Sequence, residues 1–165
     1  TRLDKPIGTL LLLHPCLYST ALSAPQGSLP DLHLMTLFTA GAFIMRGAGC
    51  TVNDMWDRDI DKKVARTKSR PLAAGDITMK QAWAFLAGQM TVGLGVLCSL
   101  PNPEVCVGLG IASLPLFAAY PTAKRWTNYP QAVLGLTINW GAFMGCAAAL
   151  GQVEWWTVPL YGGCA

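Results

Sequence analysis

Charge is scarce in this sequence. Only 13% of its residues are Asp, Glu, Lys or Arg, against about 25% in an ordinary soluble domain. Histidine is rarer still: His14 and His33 stand alone, with no Cys or acid at ligand spacing. That removes a zinc centre built on His and Cys. His14 precedes Pro15 inside an apolar stretch, which predicts a packed or cavity histidine. The six cysteines, at 16, 50, 98, 106, 146 and 164, form no CxxC. Cys98 and Cys106 flank a short loop, within reach of pairing, but apolar surroundings favour free thiols acting as small hydrophobes. The sequence has no GxGxxG, P-loop or nucleophile elbow, and no internal repeat or low-complexity segment. Dinucleotide folds, phosphate-loop NTPases, α/β-hydrolases and solenoids are thereby set aside. There is no initiator Met and no Arg- and Ser-rich leader before the first apolar run. A targeting peptide is therefore expected to have been removed or to lie outside this sequence.

What the chain has in quantity is apolar residues. They make up 52% of it, and mean hydropathy is +0.37. They come in blocks at roughly 6–24, 32–53, 81–100, 104–121 and 130–150, and a sixth begins at "EWWTVPLYGGCA". A bilayer crossing needs about 20 such residues. A soluble bundle with a buried helical core is the alternative, but several near-continuous runs of spanning length are rare outside membranes. The predicted fold class is all-α, a polytopic transmembrane bundle with five complete spans and the start of a sixth.

The connecting segments alternate in charge. One side takes Arg2, Asp4 and Lys5, the stretch 54–80, and Lys124 and Arg125 in 122–129. The other takes 25–31, 101–104 and 151–154, whose only charges are Asp31, Glu104 and Glu154. Positive charge marks the cytoplasmic face, or the matrix face in a mitochondrion. Arg46 is the exception, lying within the second span. The net charge of +3 is thus a topology signal and does not point to nucleic acid.

The second span runs directly into "NDMWDRDID", residues 53–61, with four aspartates in nine positions. If the helix continues, with Asn53 at zero, Asp57 falls at roughly 40°, Asp61 at roughly 80° and Asp54 at roughly 100°. Arg46 falls at roughly 20° and Asp59 at roughly 240°, off the stripe. A carboxylate inside the membrane costs about 2.5–3.5 kcal/mol. Such a stripe belongs at a membrane edge, facing a wet cavity with cations present. Oxygen ligands without His or Cys suit Mg²⁺, which uses one or two carboxylates and completes its shell with water and phosphate. The plainer reading is a solvated helix end with pairs such as Asp59 with Lys62 or Lys63, which does not predict the common face. Basic groups should then meet phosphate oxygens. "RTKSRP" offers Arg66, Lys68 and Arg70, and "YPTAKR" offers Tyr120 and Lys124, four apart on one helical face. Ordinary positive-inside bias accounts for Lys62, Lys63, Lys68 and Lys80 but not for Arg46.

These residues carry a resemblance. "NDMWDRDID" resembles the NDxxDxxxD motif of the UbiA superfamily of intramembrane prenyltransferases. "RTKSRPLAAGDIT" is similar to the segment after that motif, and "YPTAKRWTNYPQAVLG" to the family's YxxxK region. "RLDKPIGTLLLLHP" is similar to the start of the branch that acts on 4-hydroxybenzoate in ubiquinone biosynthesis. The resemblance runs along nearly the whole chain. It implies nine transmembrane helices around a cavity open laterally to lipid, and Mg²⁺ held by two aspartate-rich motifs. It implies transfer of a polyprenyl chain from its diphosphate to the ring carbon ortho to the phenol oxygen of 4-hydroxybenzoate.

The expected catalytic residues are Asp54, Asp57 and Asp61, with Asn53 joining them as metal ligands. Arg46, Asn53, Arg66, Arg70, Tyr120 and Lys124 are the expected substrate contacts. Expected partners are the two substrates, the bilayer and other coenzyme Q biosynthesis proteins. The expected place is the mitochondrial inner membrane with the site facing the matrix, or else a bacterial inner membrane. The chain stops in the sixth span, and no second aspartate-rich motif follows it. Residues 1–165 are therefore expected to be the N-terminal part of a single transmembrane prenyltransferase domain, inactive alone, and "LYGGCA" does not read as a continuing helix. The rival readings are a relative with another acceptor, a cation transporter with an acidic vestibule, and a non-catalytic truncated isoform.

Overall fold

The computed structural model describes residues 6–126 and 128–163, with the backbone alone at 118, 121, 124–126 and 130. Among the described residues every regular element is a helix: α1 (Ile7–Leu22), α2 (Leu32–Trp56), α3 (Arg58–Asp61), α4 (Pro71–Ala74), α5 (Met79–Cys98), α6 (Pro103–Trp126), α7 (Pro130–Asn139), α8 (Gly141–Leu150) and α9 (Thr157–Gly163). All five apolar blocks became helix, but not all reach the same length. Leu32–Trp56, Met79–Cys98 and Gln131–Leu150 are long and apolar enough to cross a membrane, while Ile7–Leu22 is a shorter apolar helix. The fifth block carries a joint at Trp140 between α7 and α8. In the sixth, α9 runs through to Gly163, so "LYGG" does continue as helix, contrary to expectation.

The helix starts follow from local chemistry. The Asp31 carboxylate accepts from the amides of His33 and Leu34 at the head of α2, satisfying two donors that have no intrahelical partner. Thr78 and Gln81 form a reciprocal capping box before α5, the S/T-x-x-E/Q pattern. Gly151, at φ 75, ends α8 in the left-handed region that glycine enters without penalty.

α1 packs against α8 and α2, α2 against α5, α5 against α6, and α6 against α7 and α8. α1 and α8 approach closely along one seam. A Cβ at Gly145 would lie 2.6 Å from the Cys16 carbonyl oxygen and 2.8 Å from Ser19 Cβ. The Ser19 hydroxyl donates to the Ala142 carbonyl at 2.6 Å across this seam. Small residues that let backbones approach are what hold helices together where lipid is as apolar as the side chains. Outside, Trp83, Phe85, Val92 and Ile111 are exposed, an apolar surface suited to hydrocarbon. His14 also lies exposed, stacked on Tyr18 at 5.6 Å between ring centroids. The expected packed position is thus corrected: position 14 falls on the outer face of α1. Cys16, Cys50, Cys98, Cys106 and Cys146 are free thiols, and Cys164 lies outside the described residues.

The helices line an open-sided cavity of about 670 Å³, almost wholly with apolar side chains from α1, α2, α5, α6, α7 and α8. Met45 and Phe38 of α2 line it, as do Phe117 of α6 and Trp140 at the α7–α8 joint.

Candidate active site

The aspartate run does not extend α2 as one helix. α2 ends at Trp56, Asp57 takes φ −92 and ψ 6, and α3 resumes for a single turn. By Trp56 the helix has run 25 residues, past the about 20 that a bilayer requires. Water can take over backbone bonding there, and Asp side chains compete for local amides. The expected i, i+4, i+8 spacing nevertheless survives in the backbone bonds. The Asp57 amide donates to Asn53 at 2.9 Å and the Asp61 amide to Asp57 at 2.8 Å.

After α3 the chain folds back through tight turns. The Thr67 hydroxyl donates to the Asp61 carbonyl at 3.1 Å, and the Arg70 amide donates to the Thr67 carbonyl at 3.0 Å. Arg70 precedes Pro71, which disfavours helical backbone before it, and it adopts φ −66 and ψ 140. This directs the guanidinium back onto the aspartates. Arg70 Nη1 lies 2.5 Å from Asp61 Oδ2 and 3.1 Å from Asp54 Oδ1. Asp61 is buried, 6% exposed, and a buried carboxylate needs a cation to be tolerated. Asp54, placed at the edge of the stripe by the angle count, is thus a full member of the cluster.

Asp59 behaves as its angle implies. Its side chain is 89% exposed and pairs with Lys62 at 3.6 Å. Asn53, Asp57 and Tyr120 are half-buried. Lys124 lies one turn beyond Tyr120 in α6, but its side chain is outside the described residues. Arg66 is exposed on the folded-back segment and is not part of the Arg70 cluster. Arg46 sits two turns before Asn53 with its Nε buried and, among the described residues, without a hydrogen-bond partner. Among the described residues no three His, Cys, Asp or Glu side chains converge as a metal cluster. The convergence there is of two carboxylates on one guanidinium.

Sequence reasoning missed three contributors. Thr67 is a buried hydroxyl fixing the fold-back, and its only signal was its place between Asp61 and the Arg-Pro pair. Arg58, which the sequence reading did not single out, has its Nε buried without a hydrogen-bond partner among the described residues. Gly8 packs directly on Arg46, and nothing in a single sequence marks such a contact.

Residues 12–165 match the UbiA prenyltransferase family. The mitochondrial 4-hydroxybenzoate polyprenyltransferase of Aedes aegypti is 57% identical over 161 residues, which cover 97% of this chain and 36% of that protein. Those of Bos taurus and Homo sapiens are 56% and 53% identical over 153 residues, 93% of this chain and 41% of each protein. The chain therefore spans about two fifths of the length of these curated relatives. A UbiA homologue from Aeropyrum pernix K1, solved in its apo form, superposes with a TM-score of 0.75 at 27% identity, over 95% of this chain and 56% of that one. With the family match over almost its full length and a shared fold, the chain belongs to the UbiA prenyltransferase family.

Proposed function

We propose that the protein carrying this chain transfers a polyprenyl group from polyprenyl diphosphate to 4-hydroxybenzoate at the mitochondrial inner membrane, with its site facing the matrix. In this reading residues 1–165 are the N-terminal part of one transmembrane prenyltransferase domain, and the stretch alone does not turn over. The share of its relatives that the chain spans supports this. The observation that carries the reading is the pair Asp54 and Asp61 meeting on Arg70 Nη1, at the end of the helix whose Phe38 and Met45 line the apolar cavity.

The donor set fits a hard divalent ion. It offers carboxylate and carboxamide oxygens without His or Cys, already gathered around one positive group. Asn53, Asp54, Asp57 and Asp61 would hold Mg²⁺, which when bound supplies positive charge to the diphosphate oxygens. Arg70, with Arg66, Tyr120 and Lys124, would meet the phosphate oxygens. Successive antiparallel helices bring the C-terminal ends of α2 and α6 to one end of the bundle, which supports that grouping.

The allylic carbon–oxygen bond breaks with its electron pair leaving on the diphosphate. The ring carbon ortho to the phenol oxygen supplies the pair for the new carbon–carbon bond, and its proton is lost. Positive side chains placed where charge develops lower the barrier to departure. The cavity takes the prenyl chain from lipid and keeps water from the cation-like carbon. Arg46, cationic and with its Nε buried, receives an oxyanion of one of the two substrates. Other coenzyme Q biosynthesis proteins are the natural partners of such an enzyme.

The test uses the full-length protein in liposomes with polyprenyl diphosphate and 4-hydroxybenzoate, with and without a chelator. Ring-prenylated product and released diphosphate are expected only with the divalent ion present. Preferential prenylation of a naphthoate or homogentisate, or turnover unaffected by chelation, overturns the assignment.

A further inference from the structure

The first turn of α1 passes directly over the Arg46 guanidinium. A Cβ built on Gly8 would lie 2.4 Å from Arg46 Nε, 2.6 Å from Cζ and 2.7 Å from Nη2. Those three guanidinium atoms thus occupy the volume that any other side chain at position 8 would fill. The neighbours of Gly8 differ in kind from those of Gly145, whose missing Cβ faces the Cys16 carbonyl oxygen and the Thr20 amide nitrogen. Backbone cannot yield, whereas the head of an arginine can. A side chain at 145 attacks the bundle; a side chain at 8 moves the guanidinium.

Arg46 is half-buried within α2. Its Nε is buried and, among the described residues, has no hydrogen-bond partner. A cation within a span is tolerated when it meets a partner of opposite charge or a wet cavity. The Gly8 backbone forms one wall of the space that the guanidinium fills.

We propose that Gly8 is a positioning residue: by lacking a side chain it sets where the Arg46 guanidinium lies, and hence where the oxyanion of a substrate is held. The inference rests on the reading of Arg46 as an oxyanion receptor. The shared ligand chemistry is an oxyanion, from the carboxylate of the aromatic acceptor or from a phosphate oxygen of the prenyl donor.

The experiment is a double-mutant cycle in the full-length enzyme in liposomes, using Gly8→Ala, Arg46→Met and both together. Separate KM values are read for 4-hydroxybenzoate and for polyprenyl diphosphate. Gly8→Ala should raise one KM roughly tenfold with kcat little changed, since small misplacements of a binding group cost on that scale. Arg46→Met should raise the same KM at least as much, and the double variant should be no worse than Arg46→Met alone. The KM that moves identifies the carboxylate or the phosphate as the ligand. In the Gly8→Ala background, Arg46→Lys, whose slim ammonium lacks the fork, should recover part of the loss.

If Gly8→Ala leaves both KM values unchanged while Arg46→Met raises one, positioning by Gly8 is wrong and the Arg46 reading survives. If Gly8→Ala imposes its full factor on top of Arg46→Met, Gly8 acts on the fold and the proposal is overturned. If Arg46→Met moves neither KM, both readings fall together. Should Gly8→Ala not accumulate in membranes, the glycine serves folding and the proposal is likewise overturned.

Discussion

The seam between α1 and α8 and the folded-back segment 57–76 are held by opposite means. At the seam, Gly141 and Gly145 remove side chains so that two backbones nearly touch, and the Ser19 hydroxyl donates to the Ala142 carbonyl across it. In 57–76 the stretches of α3 and α4 are four residues each. Order there comes from turns, a buried threonine and an arginine shared by two carboxylates. Lipid gives no hydrophobic drive for helix association, so van der Waals fit has to hold the seam. At the membrane edge water competes for every polar bond, so fixed charge has to be enclosed to hold shape. The first region holds its shape because glycines bring two backbones together, the second because charge is enclosed.

The largest effect should follow from filling the seam. Gly145→Val places atoms where the Cys16 carbonyl oxygen lies 2.6 Å from the added Cβ. Overpacking typically costs about 1–3 kcal/mol, occasionally more, and here the obstacle is backbone. The variant should lose its monodisperse peak in size exclusion from mild detergent, and a wild-type profile would show that α1 and α8 pack less tightly than described. Next is Arg70→Ala, which leaves Asp54 and Asp61 without their common cation. Turnover of the full-length enzyme should fall about hundredfold with the elution profile kept. Arg70→Lys should recover only part, because a point charge replaces a planar fork. A lost elution profile in Arg70→Ala would mean that the cluster serves folding, erasing the contrast between the regions. The smallest effect is that of Thr67→Val, which removes the hydrogen bond to the Asp61 carbonyl. That bond is worth about 1 kcal/mol, so activity should drop roughly fivefold with expression unchanged. No change at all would make the fold-back independent of its hydroxyl.

Much of the bundle was legible because membrane spans announce themselves by length and composition. The blocks at 32–53 and 81–100 emerged as α2 and α5 within a few residues. The joint at Trp140 was not legible, because an apolar run looks the same whether one helix or two occupy it. At the site, the angle count separated Asp59 from Asp57 and Asp61, and Asp59 is indeed the exposed one. The count assumed an unbroken helix, so it missed the shift at Asp57 and undervalued Asp54. Arg70 was singled out for phosphate, but its hold on two carboxylates depends on the turns of 62–70. Those turns arise from several weak local preferences acting together, and a hydropathy pattern does not carry them. Gly8 was invisible for the opposite reason, since its role lies in an atom it does not have.

Asp59 and Asp61 offer the sharpest test, two residues apart in one run, one exposed and one buried on Arg70. The measurement is the Mg²⁺ dependence of 4-hydroxybenzoate prenylation by the full-length enzyme carrying Asp61→Asn or Asp59→Asn, at matched levels in the membrane. The account predicts that Asp61→Asn loses about a hundredfold or more in turnover, worst at limiting Mg²⁺. Asp59→Asn should stay within about twofold of wild type, as befits an exposed ion pair. Similar losses in the two variants, or near-normal turnover of Asp61→Asn at limiting Mg²⁺, would contradict the assignment of this cluster as the metal and diphosphate site.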